Sequence, residues 1–301
     1  MGGPDNHRLN RQVGTRSPIG WVTGLIRFLG IFTRDHDKRV ARFYELLSTN
    51  ANLSDASLYL NLGYWDGATD LNGACERMAE VLGEAADLRP GCRQLDCGCG
   101  FGDAAMFWMR RFDVGSIDCL NITRSQAVKA QERVRAAGLV ERVRVHVGSA
   151  TRMPFADASF DRITAIETCL EYNTREEFFR EAFRVLKPGG CLATADITPL
   201  EGRYLRWWER PTMTFMMPAS NFYPRSGYVQ RLQRARFTDV RVESIADKVF
   251  VPFAKFARER LKLPEIRARM KPLGRAVLLM NCRRNKSFDY VIAVAQKPSP
   301  Y

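Results

Sequence analysis

The stretch Leu95–Asp103, LDCGCGFGD, places three alternating glycines between a short apolar strand pattern and a helix pattern. Glycine has no Cβ, so the backbone of such a loop can approach a bound ligand closely. Asp96, at the end of the strand, can pair with an ammonium group of that ligand or with a bound water. A dinucleotide fingerprint favours the spacing G-x-G-x-x-G, so the strict alternation of Gly98, Gly100 and Gly102 points to a different ligand.

The two cysteines of this stretch raise the alternatives of a metal site or a redox pair. The chain has eight cysteines and three histidines, His7, His36 and His146. No C-x-x-C pair and no nearby histidine group completes a zinc site. We therefore interpret Cys97 and Cys99 as packing residues and predict no metal centre.

Strand and helix patterns alternate through the central part of the chain. The strand patterns are CRQLDCG, SIDCLNI, VRVHVGSA, FDRITAIETCL and CLATADIT, followed by DVRVESIAD and FDYVIAVAQK near the end. Such alternation predicts an α/β fold with a mostly parallel, seven-stranded sheet and helices on both faces. We expect an N-terminal helical lid segment over 1–57 and one main domain over 58–301. Insertions at about 199–225 and 251–280 should complete the lid.

The net charge of +13 is concentrated in the last third of the chain, where 201–301 hold 21 Lys and Arg against 8 Asp and Glu. A basic region can attract nucleic acid, anionic lipid or an acidic small molecule, and it can also be an ordinary solvated surface. No nucleic-acid-binding motif accompanies it, so we expect no nucleic-acid partner. Without an ordered secretory signal or an apolar run of about 20 residues, we expect a cytoplasmic protein.

Five blocks carry a family resemblance: LDCGCGFGD, LNITRSQ, GSATRMPFADASFD, AIETCLEY and RVLKPGG. In order and spacing they resemble the class I S-adenosylmethionine-dependent methyltransferases, over roughly 59–198. The resemblance is strongest to the branch of sterol and isoprenoid C-methyltransferases, cyclopropane synthases and macrolide-sugar O-methyltransferases. It implies a Rossmann-like fold and S-adenosylmethionine as cofactor. A dinucleotide-dependent oxidoreductase is the alternative enzyme class.

The resemblance also implies roles for particular residues toward the cofactor. Asp96, Gly98 and Gly100 should line its methionine part. Asn121 stands where an acidic residue usually holds the ribose hydroxyls, although an amide can also bind a diol. Ser149 replaces the common Asp that meets the adenine amine. Further cofactor candidates are Ile122, Gln126, Ala150, Thr151 and Glu167, while capping of the next helix is the alternative role for Asn121 and Gln126.

The block AIETCLEY carries Glu171 where related enzymes place a histidine suited to deprotonating a hydroxyl. We expect none of the three histidines at the site. A carboxylate can stabilise and then deprotonate the carbocation that forms when an alkene is methylated. We therefore favour C-methylation of an isoprenoid-like alkene, with Glu171, Tyr172 and Tyr64 as catalytic candidates. Glu171 could instead be a charge at a helix N-terminus.

Two other functions stay open at this point. One is O-methylation of a hydrophobic natural product, such as a macrolide sugar or polyketide hydroxyl. The other is a basic binding protein without chemistry, against which the intact glycine loop argues.

The segment RYLRWWERPTMTFMMPASNFYPR combines apolar surface with arginines, which fits an amphiphile with an anionic head such as a prenyl diphosphate. The substrate-binding candidates are Trp65, Arg203, Trp207, Phe222 and Tyr223. A diphosphate substrate would bring Mg²⁺ with it. The apolar piece Ile19–Phe32 predicts an amphipathic helix that packs as a lid, joins a second subunit in a homo-oligomer or touches a membrane surface.

Overall fold

The computed structural model describes residues 35–47, 57–203, 216–270, 272–282 and 287–299. Its sheet has the strand order β3-β2-β1-β4-β5-β7-β6. The strands are β1 (Arg93–Cys97), β2 (Ser116–Asn121), β3 (Val143–Val147), β4 (Phe160–Ile166), β5 (Leu186–Pro199), β6 (Thr238–Ser244) and β7 (Phe288–Gln296). β1 to β5 pair in parallel, whereas β7 runs antiparallel to β5 and β6. The predicted Rossmann-like, mostly parallel seven-stranded sheet is confirmed.

Helices precede and connect these strands. In the described part of the chain they are α1 (His36–Leu47), α2 (Leu71–Ala85), α3 (Asp103–Phe112), α4 (Arg124–Ala136), α5 (Arg175–Val185), α6 (Arg225–Arg234), α7 (Ala246–Lys262), α8 (Pro264–Arg269) and α9 (Pro272–Asn281). None of the helices described is long and apolar enough to cross a membrane. The apolar piece Ile19–Phe32 and the candidate Trp207 lie outside the described residues.

The burial of the strands follows their position in the sheet. The last four residues of β1 and the last ten of β5 are buried, as expected for central strands covered by helices on both faces. β6 lies at the edge and is mostly exposed. Because parallel strands place their carboxyl ends along one edge, the glycine loop after β1 and the turn after β4 come together there.

Beneath that edge lies an ion pair with no solvent exposure. Arg175 Nε is 2.9 Å from Asp196 Oδ2, and both side chains are fully buried. Asp196 Oδ1 accepts from the backbone N–H groups of Leu170 and Ile197. Asn221 Nδ2 donates to the carbonyls on either side of Glu171, at Leu170 (3.1 Å) and Tyr172 (2.7 Å). The turn that carries Glu171 is therefore held from below.

We expect Arg175→Met to lower the free energy of unfolding by about 3–5 kcal/mol, because it leaves the Asp196 carboxyl buried without its cation. Urea denaturation monitored by circular dichroism measures the change. Arg180→Met is the matched control on the same helix, since Arg180 pairs with Glu177 at the surface; its cost should stay below about 1 kcal/mol. Equal losses in the two variants would contradict the prediction.

Candidate active site

A cavity of about 670 Å³ opens at the carboxyl ends of the parallel strands. Its wall combines the glycine loop, the ends of β2 and β4, the segment 58–62 and one face of α1. The described parts of the two predicted insertions also contribute, through Met216, Met217, Phe253, Gly274, Ala276, Leu278 and Leu279. The cavity thus lies where the glycine loop, α1 and the insertions meet.

Asp96 lies at the floor of the cavity with 2% of its surface exposed. Its Oδ2 has no hydrogen-bond partner among the described residues. Burial raises the pKa of its carboxyl to about 7, although the Thr164 hydroxyl acts in the opposite direction. A buried carboxylate in this position is suited to a ligand ammonium, so Asp96 fits the methionine part of S-adenosylmethionine.

The loop after β1 turns at glycines because a side chain would not fit there or would strain the backbone. Gly98 has φ +78°, and a Cβ built there would lie 2.3 Å from Thr168 Cγ2. Gly100 also has positive φ and lines the cavity. Cys97 and Cys99 are both buried, which agrees with their interpretation as packing residues. Gly98, Cys99 and Gly100 therefore all border the cavity, whereas Cys97 does not.

Asn121 joins the end of β2 to this loop. Its Nδ2 donates to Gly100 O and to Gln126 Oε1, both at 3.0 Å, and its Oδ1 accepts from Thr123 N at 2.9 Å. A carboxylate cannot donate, so this arrangement needs the amide that stands in place of the usual acid. Neither Asn121 nor Gln126 caps α4. Both line the cavity with Ile122.

Beyond β3, Ser149 and Ala150 reach the same cavity. Ser149 Oγ donates to Asp37 Oδ2 at 2.8 Å and shares a 2.9 Å hydrogen bond with Thr151 Oγ1. Thr151 does not itself line the cavity, and its hydroxyl contacts Ser149 instead. Asp37 belongs to α1 and was missed by the sequence analysis, because no motif surrounds it.

Glu171 ends the short 3₁₀ turn Cys169–Glu171 after β4 and lines the cavity. Tyr44 OH donates to its Oε1 at 2.9 Å. His36 Nε2 lies 2.6 Å from its carbonyl oxygen, and His36 Nδ1 lies 2.9 Å from Arg39 Nη2. Because a guanidinium only donates, Nδ1 is the acceptor and Nε2 donates to Glu171. Burial lowers the pKa of His36, which favours this neutral form. The expectation that no histidine approaches the site is wrong.

Two other residues of this strand end face the cavity. Glu167 has φ +53°, and its Oε1 accepts from Leu62 N at 2.6 Å and Tyr290 OH at 2.8 Å. It therefore holds the segment 58–62 against the sheet. Tyr172 also lines the cavity, with its hydroxyl 2.8 Å from Thr168 Oγ1.

The remaining candidates that the structure describes do not line the cavity. The chain turns at Gly63, φ +75°, where a Cβ would meet Ala74 at 2.6 Å. This turn carries Tyr64 and Trp65 out of the site, and the Trp65 ring packs on Phe256 instead.

Three of the substrate-binding candidates pack outside the cavity lining. Tyr223 is buried beneath Arg231, whose guanidinium carbon is 3.7 Å from its ring centroid. The Phe222 ring packs edge-on against Phe288, which does line the cavity. Arg203 Nη2 donates to Ser287 Oγ at 3.4 Å. Their roles in the structure are packing and support of the wall.

The described lining is acidic. It contains the carboxyl groups of Asp37, Asp96, Asp103, Glu167 and Glu171, and none of its residues is Lys or Arg. Asp103 is paired with Arg133 through two hydrogen bonds, at 2.5 and 2.7 Å. Within the described ranges no group of three His, Cys, Asp or Glu could hold a metal ion.

Comparison with known proteins agrees with this geometry. Residues 95–190 match the family model of a methyltransferase domain. The erythromycin 3''-O-methyltransferase of Saccharopolyspora erythraea is 32% identical over 285 residues, which cover 89% of this chain and 93% of that protein. The [4+2]-cyclase SpnF has a similar structure, with a TM-score of 0.74 and 26% identity over 87% of this chain and 96% of SpnF.

A geranyl diphosphate C-methyltransferase from Streptomyces coelicolor A3(2) shares the fold, with a TM-score of 0.70. The two sequences are 18% identical, and the alignment covers 88% of this chain and 98% of that structure. Since one structural neighbour is a cyclase, fold alone does not define the chemistry. The relationship to the S. erythraea enzyme does define the family. The chain belongs to the class I S-adenosylmethionine-dependent methyltransferases.

We expect the affinity for S-adenosylhomocysteine to depend on the ionisation of Asp96. The free carboxyl is protonated below its pKa of about 7, and an ammonium ligand needs the carboxylate, so binding releases a proton in that range. Affinity should therefore rise up to about tenfold per pH unit as the pH approaches 7 and then level off. Titration calorimetry at several pH values and in buffers of different ionisation enthalpy measures both effects.

Asp96→Asn is the matched variant, since it keeps the shape and removes the titration. It should bind more weakly and lose both the pH dependence and the proton release. The same pH dependence in this variant would assign the effect to another group.

Proposed function

We propose that this methyltransferase methylates a hydroxyl oxygen of a large hydrophobic natural product, such as a macrolide glycoside or a polyketide alcohol. The observation that carries the proposal is the wall of the cavity, which places the Glu171 carboxylate among apolar and aromatic side chains without Lys or Arg in its described part. A prenyl diphosphate would bring further negative charge beside the Glu171 carboxylate. The described part of the wall therefore favours a neutral acceptor over the anionic substrate favoured from the sequence.

The similarity to the erythromycin 3''-O-methyltransferase supports the same proposal, because it extends over 89% of the chain. The name of that relative specifies a hydroxyl acceptor on a macrolide. The proposal for this chain is limited to that chemical class and leaves the acceptor itself to experiment.

The chemistry divides between cofactor and protein. When bound, S-adenosylmethionine supplies a methyl group on a positively charged sulfur. Glu171 accepts the proton of the substrate hydroxyl, and the hydroxyl oxygen then attacks the methyl group as the nucleophile. Tyr44 donates to one carboxylate oxygen and orients the group. Phe43, Val40 and Met217 provide apolar surface that holds the substrate and excludes water.

Methylation of an alkene carbon is the second candidate. It is favoured by the aromatic rings of Phe43, Tyr44 and Tyr172, which line the same cavity as Glu171 and could stabilise a carbocation. Neither Tyr64 nor Trp65 supplies such a face. The two reactions make different demands on residue 171.

We expect Glu171→Gln to preserve cofactor binding and to lower kcat by about 10²-fold or more, because an amide cannot accept the proton. Glu171→His should retain much of the activity near neutral pH if the acceptor is a hydroxyl, since imidazole is an effective base there. If the acceptor is an alkene, an imidazole that becomes cationic should abolish the reaction. Steady-state kinetics with calorimetry of cofactor binding measures both.

Glu177→Gln is the control, because the Glu177 side chain is at the surface, where it pairs with Arg180; the kinetics of this variant should match the wild type. Full activity of Glu171→Gln would remove Glu171 from the mechanism.

The acceptor class can be tested directly with labelled S-adenosylmethionine. The panel comprises macrolide glycosides, polyketide alcohols, prenyl diphosphates and sterols, with the methylated atom identified by NMR. We expect label on the oxygen of a glycoside or polyketide. Label on a carbon of a prenyl diphosphate would overturn the proposal.

A further inference from the structure

Asp37 is the one acidic residue of α1 that lines the cavity in the described structure. Its Oδ2 accepts from Ser149 Oγ at 2.8 Å, across 112 residues of sequence. α1 lies outside the sheet, so this contact brings a carboxylate from the N-terminal region onto the loop after β3. The mechanism proposed for methyl transfer makes no use of it.

The direction in which a nucleoside cofactor crosses the sheet indicates which part of the cofactor lies beside Asp37. In open α/β sheets the glycine loop after β1 and the end of β2 bind successive parts of such a cofactor, with the ribose at the end of β2. Asp96 ends β1 and Asn121 ends β2, and strand β3 is next to β2. The base must therefore extend toward the loop after β3, which carries Ser149 and Ala150.

The surface at this end of the cavity suits a flat, mostly apolar ring. Leu120, Ile122, Gly148 and Ala150 form its wall. A purine amine also needs a hydrogen-bond acceptor at its edge. The Ser149 hydroxyl donates its hydrogen bond to Asp37, so the anionic acceptor at this end of the wall is Asp37 itself.

We propose that Asp37 accepts a hydrogen bond from the 6-amino group of the cofactor's adenine. Asp37 thereby supplies from α1 the acidic acceptor that the loop after β3 lacks. Ser149 orients the Asp37 carboxylate, and Thr151 in turn contacts Ser149. The proposal rests on the assignment as an S-adenosylmethionine-dependent enzyme and is independent of the methyl acceptor.

The role can be tested by binding alone, with S-adenosylhomocysteine and its analogue in which hydrogen replaces the 6-amino group. The wild type should bind S-adenosylhomocysteine about tenfold or more tightly than the analogue, as expected for a hydrogen bond to a charged acceptor. Asp37→Ala should lower the affinity for S-adenosylhomocysteine by a similar factor, and this variant should bind the two ligands with nearly equal affinity. Asp37→Asn keeps an acceptor oxygen and should be intermediate. Titration calorimetry measures all six dissociation constants.

Asp35→Asn is the matched control. It removes a neighbouring acidic charge whose carboxylate pairs with Lys38, and asparagine can still accept the Lys38 N–H bond at the start of α1. Its preference for the amino ligand should equal that of the wild type.

The proposal is overturned if Asp37→Ala lowers the affinity for both ligands by the same factor. That result would assign Asp37 to the ribose, which is unchanged in the analogue, or to the packing of α1. It is also overturned if the wild type does not distinguish the two ligands. Neither result would affect the O-methylation proposal, which depends on Glu171 and the acceptor panel.

Discussion

The contact between Gly98 and Thr168 is the constraint on which the site depends. Thr168 occupies the space that a Cβ at Gly98 would need, with its own Cβ only 2.7 Å from that position. Its hydroxyl donates to Cys97 O and meets the hydroxyl of Tyr172. The cofactor loop after β1 and the turn that carries Glu171 are therefore packed as one unit, supported beneath by the Arg175–Asp196 ion pair.

The helix α1 packs against the cavity and makes contacts at two separate places on its wall. Asp37 reaches the loop after β3, while Tyr44 and His36 reach the side chain and the backbone of Glu171. One helix thus contacts both the loop after β3 and the turn that carries Glu171.

The distribution of charge along the chain differs from the charge of the cavity. The last third of the sequence is strongly basic, yet the described cavity lining has five carboxyl groups and no Lys or Arg. Cavity residues come from short stretches of many elements, so regional charge does not predict their sign. The acidic lining suits a cofactor that carries positive charge on its sulfur and its amino group.

The sequence by itself determined the order of strands and helices, the glycine loop, and the positions of Asp96 and Glu171. These follow from local patterns, because hydrophobic period, turn residues and short motifs act over a few residues. Only the tertiary structure decided that Tyr64, Trp65 and Tyr223 turn away from the cavity. It also brought α1 to the site, since His36 and Tyr44 contact Glu171 across 135 and 127 residues. Such contacts depend on how an amphipathic helix docks on a folded sheet, and no local pattern encodes that docking.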